Sequence, residues 1–401
     1  MKLALKALVA GSLAMGSIML ATIAPAVGQA VRIGVLGDQS SNFADSGGPG
    51  SVNATKMAVE DFGGSVLGRP IEVLVADHQN KVDTGVGIAR EWYESKGVSV
   101  IVDFASSAIA LGVQDIARKL DKIALYTTAS SSDIIGKACS PNGMQWGAEN
   151  WSNSAPLMTA LASEPGATFY FITVDYTFGH QLEDVSRKAI EASGGKILGN
   201  IRFPLNTMDM SSYLLAARAS GAKVIVLAMS GTDLVTAMKQ ASEYGISAKQ
   251  KIAAPILFLT DIDAVGLKTL AGLQFLQSWY WDQDDASRAW SKRYFERMKK
   301  MPNESHATLY AAVTHYLNAV KAAGTLDTQA VLKKMKETPI NGLVSQNGHI
   351  LKNGRAAFDR FLVQIKEPSE SKYPWDFLKV VSRIPAEKAF RTPADAGCTI
   401  E

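Results

Sequence analysis

The residues of this chain best suited to hold a small molecule are hydroxyl side chains placed where apolar runs end. Ser106 and Ser107 follow the run Val100 to Val102 and the residues Asp103-Phe104-Ala105. Thr127, Thr128, Ala129 and Ser130 to Ser132 follow the run Ile123 to Tyr126. Hydroxyl groups beside free backbone N–H groups at helix starts make a site for a carboxylate or another anion. Serine and threonine in such junctions also serve as plain helix caps, the commonest use of any one such loop. Two loops of this kind on neighbouring strands point to a ligand more strongly than one.

A second group of candidates lies further along. Three more loops follow apolar runs: Asp175-Tyr176-Thr177-Phe178-Gly179, Met229-Ser230-Gly231-Thr232 and Thr260-Asp261-Ile262-Asp263. The aromatic pair Tyr176 and Phe178 in a loop that should be polar suggests a contact surface, the alternative being a cover for the end of a sheet. Ser278-Trp279-Tyr280-Trp281-Asp282 is the densest aromatic cluster, and its polar borders fit the wall of a cleft.

The elements that must position these residues follow from periodicity. Ile109, Val113, Ile116, Ala117 and Leu120 recur at the helical period between the two serine loops, so residues 101 to 132 form a β-α-β unit with parallel strands. Both serine loops then lie at the same carboxyl edge of one sheet. Strands at Val31 to Leu36, Ile71 to Asp77 and Val98 to Val102 alternate with helices ending at Gly63-Gly64 and over Lys81 to Ser95. The alternation lapses over 133 to 155, then restarts with strands at Phe169 to Val174, Lys196 to Arg202, Val224 to Leu227 and Ile256 to Leu259. Two similar α/β lobes follow one another. Helices over Ala286 to Lys300 and Ser305 to Ala323 come next, the first with a basic solvated face. His349 to Lys352 and Arg360 to Lys366 read as paired strands around Asn353-Gly354. The proline-bearing tail from Phe377 to Cys398 should lie against the two lobes.

Composition sets the wider limits. A chain of 401 residues, 47% of them hydrophobic, can fill two cores. Lys2 and Lys6, an apolar stretch from Leu8 to Ile23, and the candidate cleavage sites Ala24-Pro25-Ala26 and Gly28-Gln29-Ala30 read as a secretory signal peptide over residues 1–30. The mature protein is expected to be exported and not to span a membrane. Without Lys2 and Lys6 it carries 39 basic against 38 acidic residues, which gives no footing for nucleic acid. Cys139 and Cys398, a pair in an oxidising compartment, are expected to form a disulfide.

Catalytic signatures are missing. Gly34-Val35-Leu36-Gly37 lacks the glycine spacing of a dinucleotide site, and there is no nucleophile elbow, phosphate loop or His-Glu-x-x-His. His78, His180, His306, His315 and His349 show no metal-ligand spacing. No enzyme activity, cofactor or metal is expected, a Rossmann-type enzyme being the weakest alternative.

The signal peptide, the start VRIGVLGDQSSNFADSGGPG, the loops DFASS, TTASSS and VDYTFG, and the segments SWYWD and YAAVTHYL together resemble the type I periplasmic solute-binding proteins. More narrowly, they resemble the branched-chain amino acid receptors of ABC importers. The resemblance implies two Rossmann-like lobes with parallel central sheets, joined by a three-crossing hinge near Trp151, Trp279 and Ala357. It implies a first lobe of 31–150 and 280–357 and a second of 151–279 and 358–401. It implies that the first lobe holds a ligand carboxylate through Ser106, Ser107, Thr128 and Ser130 and the Ala129 carbonyl, with Phe43 over the ligand. Tyr176, Phe178, Ser230 and Gly231 would close from the second lobe, Trp279 and Tyr280 would line the cleft, and Asp261 or Asp263 would face an ammonium group. Where relatives often carry Gly-Pro this chain has Asp103-Phe104, and where many carry a second tyrosine it has Phe178, so the pocket is expected to be more apolar. The ligand is expected to be a branched-chain or other aliphatic amino acid, or an aromatic acid. The protein itself would be a periplasmic monomer that delivers to a permease, or alternatively to a chemoreceptor or sensor kinase.

Overall fold

A computed structural model describes residues 29–400. The expected signal peptide lies almost wholly outside them. Among the described residues no helix is long and apolar enough to cross a membrane.

The first lobe is built on a six-stranded sheet. In spatial order its strands are Ser65–Val66, Arg69–Asp77, Val31–Gly37, Val98–Asp103, Ile123–Tyr126 and Gly143–Gln145. All neighbours run parallel except the short edge strand Ser65–Val66. The central strands are nearly continuous apolar runs because helices cover both faces. The second lobe has four parallel strands in the order Lys251–Ala253, Val224–Ala228, Thr168–Val174 and Lys196–Phe203. Val224–Ala228 is buried along its whole length.

A third, antiparallel sheet joins Gln274–Gln277, Arg360–Ile365 and Leu378–Ile384. It revises the expected hairpin. His349–Ile350 pairs with Ala356–Ala357 around the turn at Gly354, whose φ is 85° and where an added Cβ would stand 2.1 Å from the Gly143 carbonyl oxygen. Arg360–Ile365, with Val363 and Ile365 buried, is taken up by the other sheet. The second revision concerns Ile256 to Leu259. The fourth strand of the second lobe ends at Ala253, since Pro255 has no N–H to continue a ladder, and Leu259–Val265 is a helix. Thr260, Asp261 and Asp263 therefore sit on that helix and not in a strand-end loop.

Chain crossings between the lobes are held by buried polar groups. Arg360, fully buried, donates to Asn153 Oδ1 at 2.8 Å and to the Leu276 carbonyl at 3.1 Å, and lies 3.8 Å from Glu304. Glu149 caps the helix Asn150–Ala162 by accepting from the Trp151 and Ser152 N–H groups. Cys139 and Cys398 form the expected disulfide, which ties the chain's last residues to the first lobe.

Candidate functional site

The carboxyl ends of the two parallel sheets face each other across a closed cleft. Its lining comprises Phe43, Ser46, Ala105, Ser107, Thr128 and Ser130 from the first lobe, and Tyr176, Phe178, Ser230, Ile256 and Phe258 from the second. About 280 Å³ lies between these atoms, of which only about 10 Å³ admits a water-sized sphere. A larger hollow of about 650 Å³ is lined solely by residues between 286 and 346 and includes none of the strand-end hydroxyl loops.

On the first-lobe side, the loop after Val31–Gly37 is shaped by Asp38. Its buried carboxylate accepts from the Ser41 N–H at 2.9 Å, the Ser41 hydroxyl at 2.6 Å and the Phe43 N–H at 3.0 Å, which fixes Phe43 over the cleft. Ser106 takes the N-cap position of the helix Ser107–Lys119, but its hydroxyl makes no capping bond. Ser106 is thus placed as a cap without being used as one, and Ser107, at the first helical position, lines the cavity where Ser106 does not. Ser130 donates to the Thr128 carbonyl at 3.2 Å, and the Thr128 hydroxyl donates to Asp103.

The helices Gly48–Phe62, Ser107–Lys119, Thr177–Ala192 and Thr232–Glu243 all begin at this edge; none is capped by the side chain of its own N-cap residue, and the first N–H groups of the last are taken by Asn42 of the facing lobe. Their positive dipole ends favour an anion there. No charged side chain lines the cavity.

The second-lobe side is aromatic. Tyr176 stands 6.5 Å from Phe43 across the cleft and 5.9 Å from Phe178, centroid to centroid. Burial, with Asp233 and Asp38 nearby, holds the Tyr176 phenol far above its usual pKa, so it stays a neutral donor. Gly231 is required where the lobes touch: its φ is 67°, and a Cβ there would lie 2.4 Å from the Asn42 carbonyl oxygen.

Some expected site residues have other work. Ala129 does not line the cavity, and its carbonyl accepts from Gln145 Nε2 at 3.0 Å. Trp279 packs edge-on against Trp290 and donates from its indole to Ser287 at 3.0 Å. Tyr280 donates to the Trp375 carbonyl at 3.1 Å. The aromatic cluster thus packs near the crossing and contributes nothing to the cavity lining. Asp261 accepts from the Phe258 N–H at 2.9 Å as the cap of its own helix; burial raises its carboxyl to about 7. Asp263 is exposed and is not in the lining. Phe104 packs at a tilt against Tyr126, 5.0 Å between centroids, in the first-lobe core, so the departure at Asp103-Phe104 does not make the pocket apolar. Phe178, the other departure, does line the cavity, and Ile256 and Phe258 add to its apolar character. Sequence reading missed them because Pro255-Ile256-Leu257-Phe258 passes for the inside of a strand.

A family model described as "Periplasmic binding protein" matches residues 30–372. A solved periplasmic binding protein from Burkholderia mallei is 41% identical, with a TM-score of 0.90 over 92% of this chain and 98% of that one. A branched chain amino acid ABC transporter periplasmic ligand-binding protein from Burkholderia xenovorans LB400 is 37% identical, with a TM-score of 0.81 over 92% and 99%. Among curated proteins, the Leu/Ile/Val-binding protein homolog 6 of Brucella melitensis biotype 1 is 26% identical over 277 residues, 68% of each chain. With two parallel-sheet lobes meeting at an uncharged cleft and a family match over nearly all of the described chain, the protein belongs to the periplasmic binding proteins, in the group of the branched-chain amino acid ABC importers.

Proposed function

We propose that this protein captures a small carboxylate with an apolar, aromatic body between its lobes, in the periplasm and as a monomer, and delivers it to the permease of an ABC importer. The observation that carries the reading is the division of the cavity lining. Hydroxyls of Ser107, Thr128 and Ser130 and uncapped helix starts lie on the first-lobe side with the ring of Phe43, and Tyr176, Phe178, Ile256 and Phe258 face them from the second lobe with the Ser230 hydroxyl. The hydroxyls and N–H groups hold the carboxylate, and the rings cover the body. An amino acid's ammonium group would need an acidic or carbonyl partner in this buried space. No acidic side chain is in the lining, and Asp261 is turned to the Phe258 N–H. The proposed lobes are 31–150 with 280–357, and 151–279 with 358–401, and the ligand favours the closed form because only there does it touch both.

The test is thermal unfolding of mature protein stripped of carried-over ligand by unfolding and refolding, against a panel of aromatic acids and amino acids. A ligand at about a thousand times its dissociation constant adds roughly 4 kcal/mol to the folded state. Stabilisation by benzoate-like acids supports the reading. Stabilisation by leucine and its relatives alone refutes the aromatic assignment and restores the amino acid.

A further inference from the structure

Behind the hydroxyl side of the cleft sits a carboxyl group that ligand contact alone does not explain. Asp103 ends the central strand Val98–Asp103 and is fully buried. Its φ is 88° and that of Phe104 is 65°, two successive left-handed residues that carry side chains. Such strain persists only where the surroundings hold it, and it clusters at functional sites. The carboxyl group fits under two glycines: a Cβ on Gly37 would stand 2.4 Å from Asp103 Oδ2, and one on Gly47 3.3 Å from Oδ1. Oδ1 accepts the Thr128 hydroxyl proton, and Oδ2 has no partner among the described residues.

A hydroxyl has a single proton to give. While Asp103 is ionised, that proton is held by Asp103, and Thr128 offers only lone pairs to the cleft, which repel a carboxylate. Once Asp103 takes a proton from solvent the bond can reverse: Asp103 donates to Thr128, and the Thr128 proton is freed for the ligand.

The surrounding charges favour the reversal. Burial raises the Asp103 carboxyl to about 6, and Asp38, of like sign at the end of the neighbouring strand, adds a smaller push in the same direction. Ser51 on the helix Gly48–Phe62, Gln39 in the first loop and Tyr126 on the adjoining strand are neutral. His306 beside Gly47 and His78 beside Asp38 are kept neutral by burial, each lowered to about 4. No cation lines the cleft to offset a ligand anion and an aspartate together.

We infer that Asp103 is a positioning residue that couples carboxylate capture to the uptake of one proton by setting which way the Thr128 hydroxyl donates. The inference rests on the carboxylate reading above, and calorimetry separates the two. Benzoate and leucine are titrated into stripped protein from about pH 6 to pH 8, in buffers of different ionisation enthalpy. Affinity for the carboxylate that binds should fall about tenfold per pH unit above the Asp103 pKa, with close to one proton taken up per ligand at the upper end. Asp103→Asn, whose amide donates to Thr128 without titrating, should bind with neither pH slope nor proton uptake. Binding without proton uptake in the wild type overturns the inference and leaves the capture reading intact, and no binding of either acid overturns both. A slope that survives Asp103→Asn places the proton elsewhere and also overturns it. Should the variant not fold, the carbon-13 signal of the wild-type Asp103 carboxyl decides: it must move to the protonated position on ligand addition.

Discussion

Asn42→Ala should loosen the closed form without touching the ligand. Asn42 lies in the first-lobe loop and grips the start of the second-lobe helix Thr232–Glu243. Its carbonyl accepts from the Thr232 N–H at 3.2 Å. Its side-chain oxygen accepts from the Thr232 hydroxyl and from the Asp233 N–H at 3.3 Å, and its amide donates to Asp233 Oδ2 at 3.4 Å. Alanine keeps the carbonyl bond and loses the three side-chain bonds. Two of them are long, so at about 0.5–1.5 kcal/mol for a typical net hydrogen bond the loss is about 1–3 kcal/mol of closed-state stability. If the free protein is mostly open, that converts to a roughly 5- to 150-fold weaker Kd. If the free protein is mostly closed, Kd moves less and the ligand-free radius of gyration grows instead. Calorimetry with benzoate and X-ray scattering without ligand read the two cases. An unchanged Kd together with an unchanged radius of gyration would refute the reasoning. Asn42→Asp should act more strongly, and more at pH 8 than at pH 5, because it faces the Asp233 carboxyl, which burial raises to about 6.

Ser107→Ala with Ser130→Ala should weaken carboxylate binding by at least about a hundredfold with the fold intact, since two bonds to a charged acceptor at about 1.5–3 kcal/mol each sum to about 3–6 kcal/mol; unchanged affinity would remove these loops from the site. Trp279→Phe should leave ligand affinity alone and destabilise the fold by about 1–3 kcal/mol, through the lost bond to Ser287 and poorer packing on Trp290; a change in affinity without a change in melting would return Trp279 to the site. Replacing Cys139 and Cys398 by serine releases a link across 259 residues and should cost up to about 5 kcal/mol, read by denaturant unfolding. Burial raises the Asp261 carboxyl from 3.8 to about 7, so the folded state holds this proton to higher pH than the unfolded chain does. Its contribution is therefore full below about pH 4 and is lost as pH rises to about 7. His78 and His306, lowered by burial to about 4, act in the opposite direction over the same range, so the test is the difference between proteins. Asp261→Asn should melt higher than wild type at neutral pH, by a margin that shrinks towards pH 4, and a constant margin would refute the sign.

The sequence carried the lobes and the first-lobe half of the cleft because both depend on local signals. A continuous apolar run followed by hydroxyl residues and a helical period identifies a parallel strand and the loop at its carboxyl end. Ser107, Thr128 and Ser130 were legible for that reason, and so was the Tyr176 and Phe178 loop. Ile256 and Phe258 were not, because their segment is apolar at every position, and only Pro255 hints that the ladder has stopped. Trp279 misled for the complementary reason: an aromatic cluster with polar borders looks alike whether it faces a cleft or a neighbouring helix, and the choice is made by Ser287 and Trp290, which lie beyond the segment. One partner of Arg360–Ile365 is the strand Gln274–Gln277, far upstream in the chain, which no local pattern reports.

Hinge and latch divide the energetics of closure. At the crossings Arg360 and Glu304 are fully committed to the interior, and breaking such a buried pair by removing one partner typically costs about 3–5 kcal/mol, so the hinge resists rearrangement. The Asn42 contacts are few, and two of its three side-chain bonds are at the edge of hydrogen-bond length, so the lobes part there at less cost than at the hinge. Between the two lies a cavity that admits scarcely a water, and a ligand must separate its walls while still reaching both. On the proposed reading, a ring slipped between Phe43 and Tyr176, with its carboxylate against the serine loops, would do this with the least added spacing. A bulkier aliphatic body needs a wider separation and strains the Asn42 bonds first. If that is how the cleft selects, Asn42→Ala should narrow the difference in affinity between benzoate and a bulkier acid such as 4-tert-butylbenzoate, by weakening the smaller ligand more.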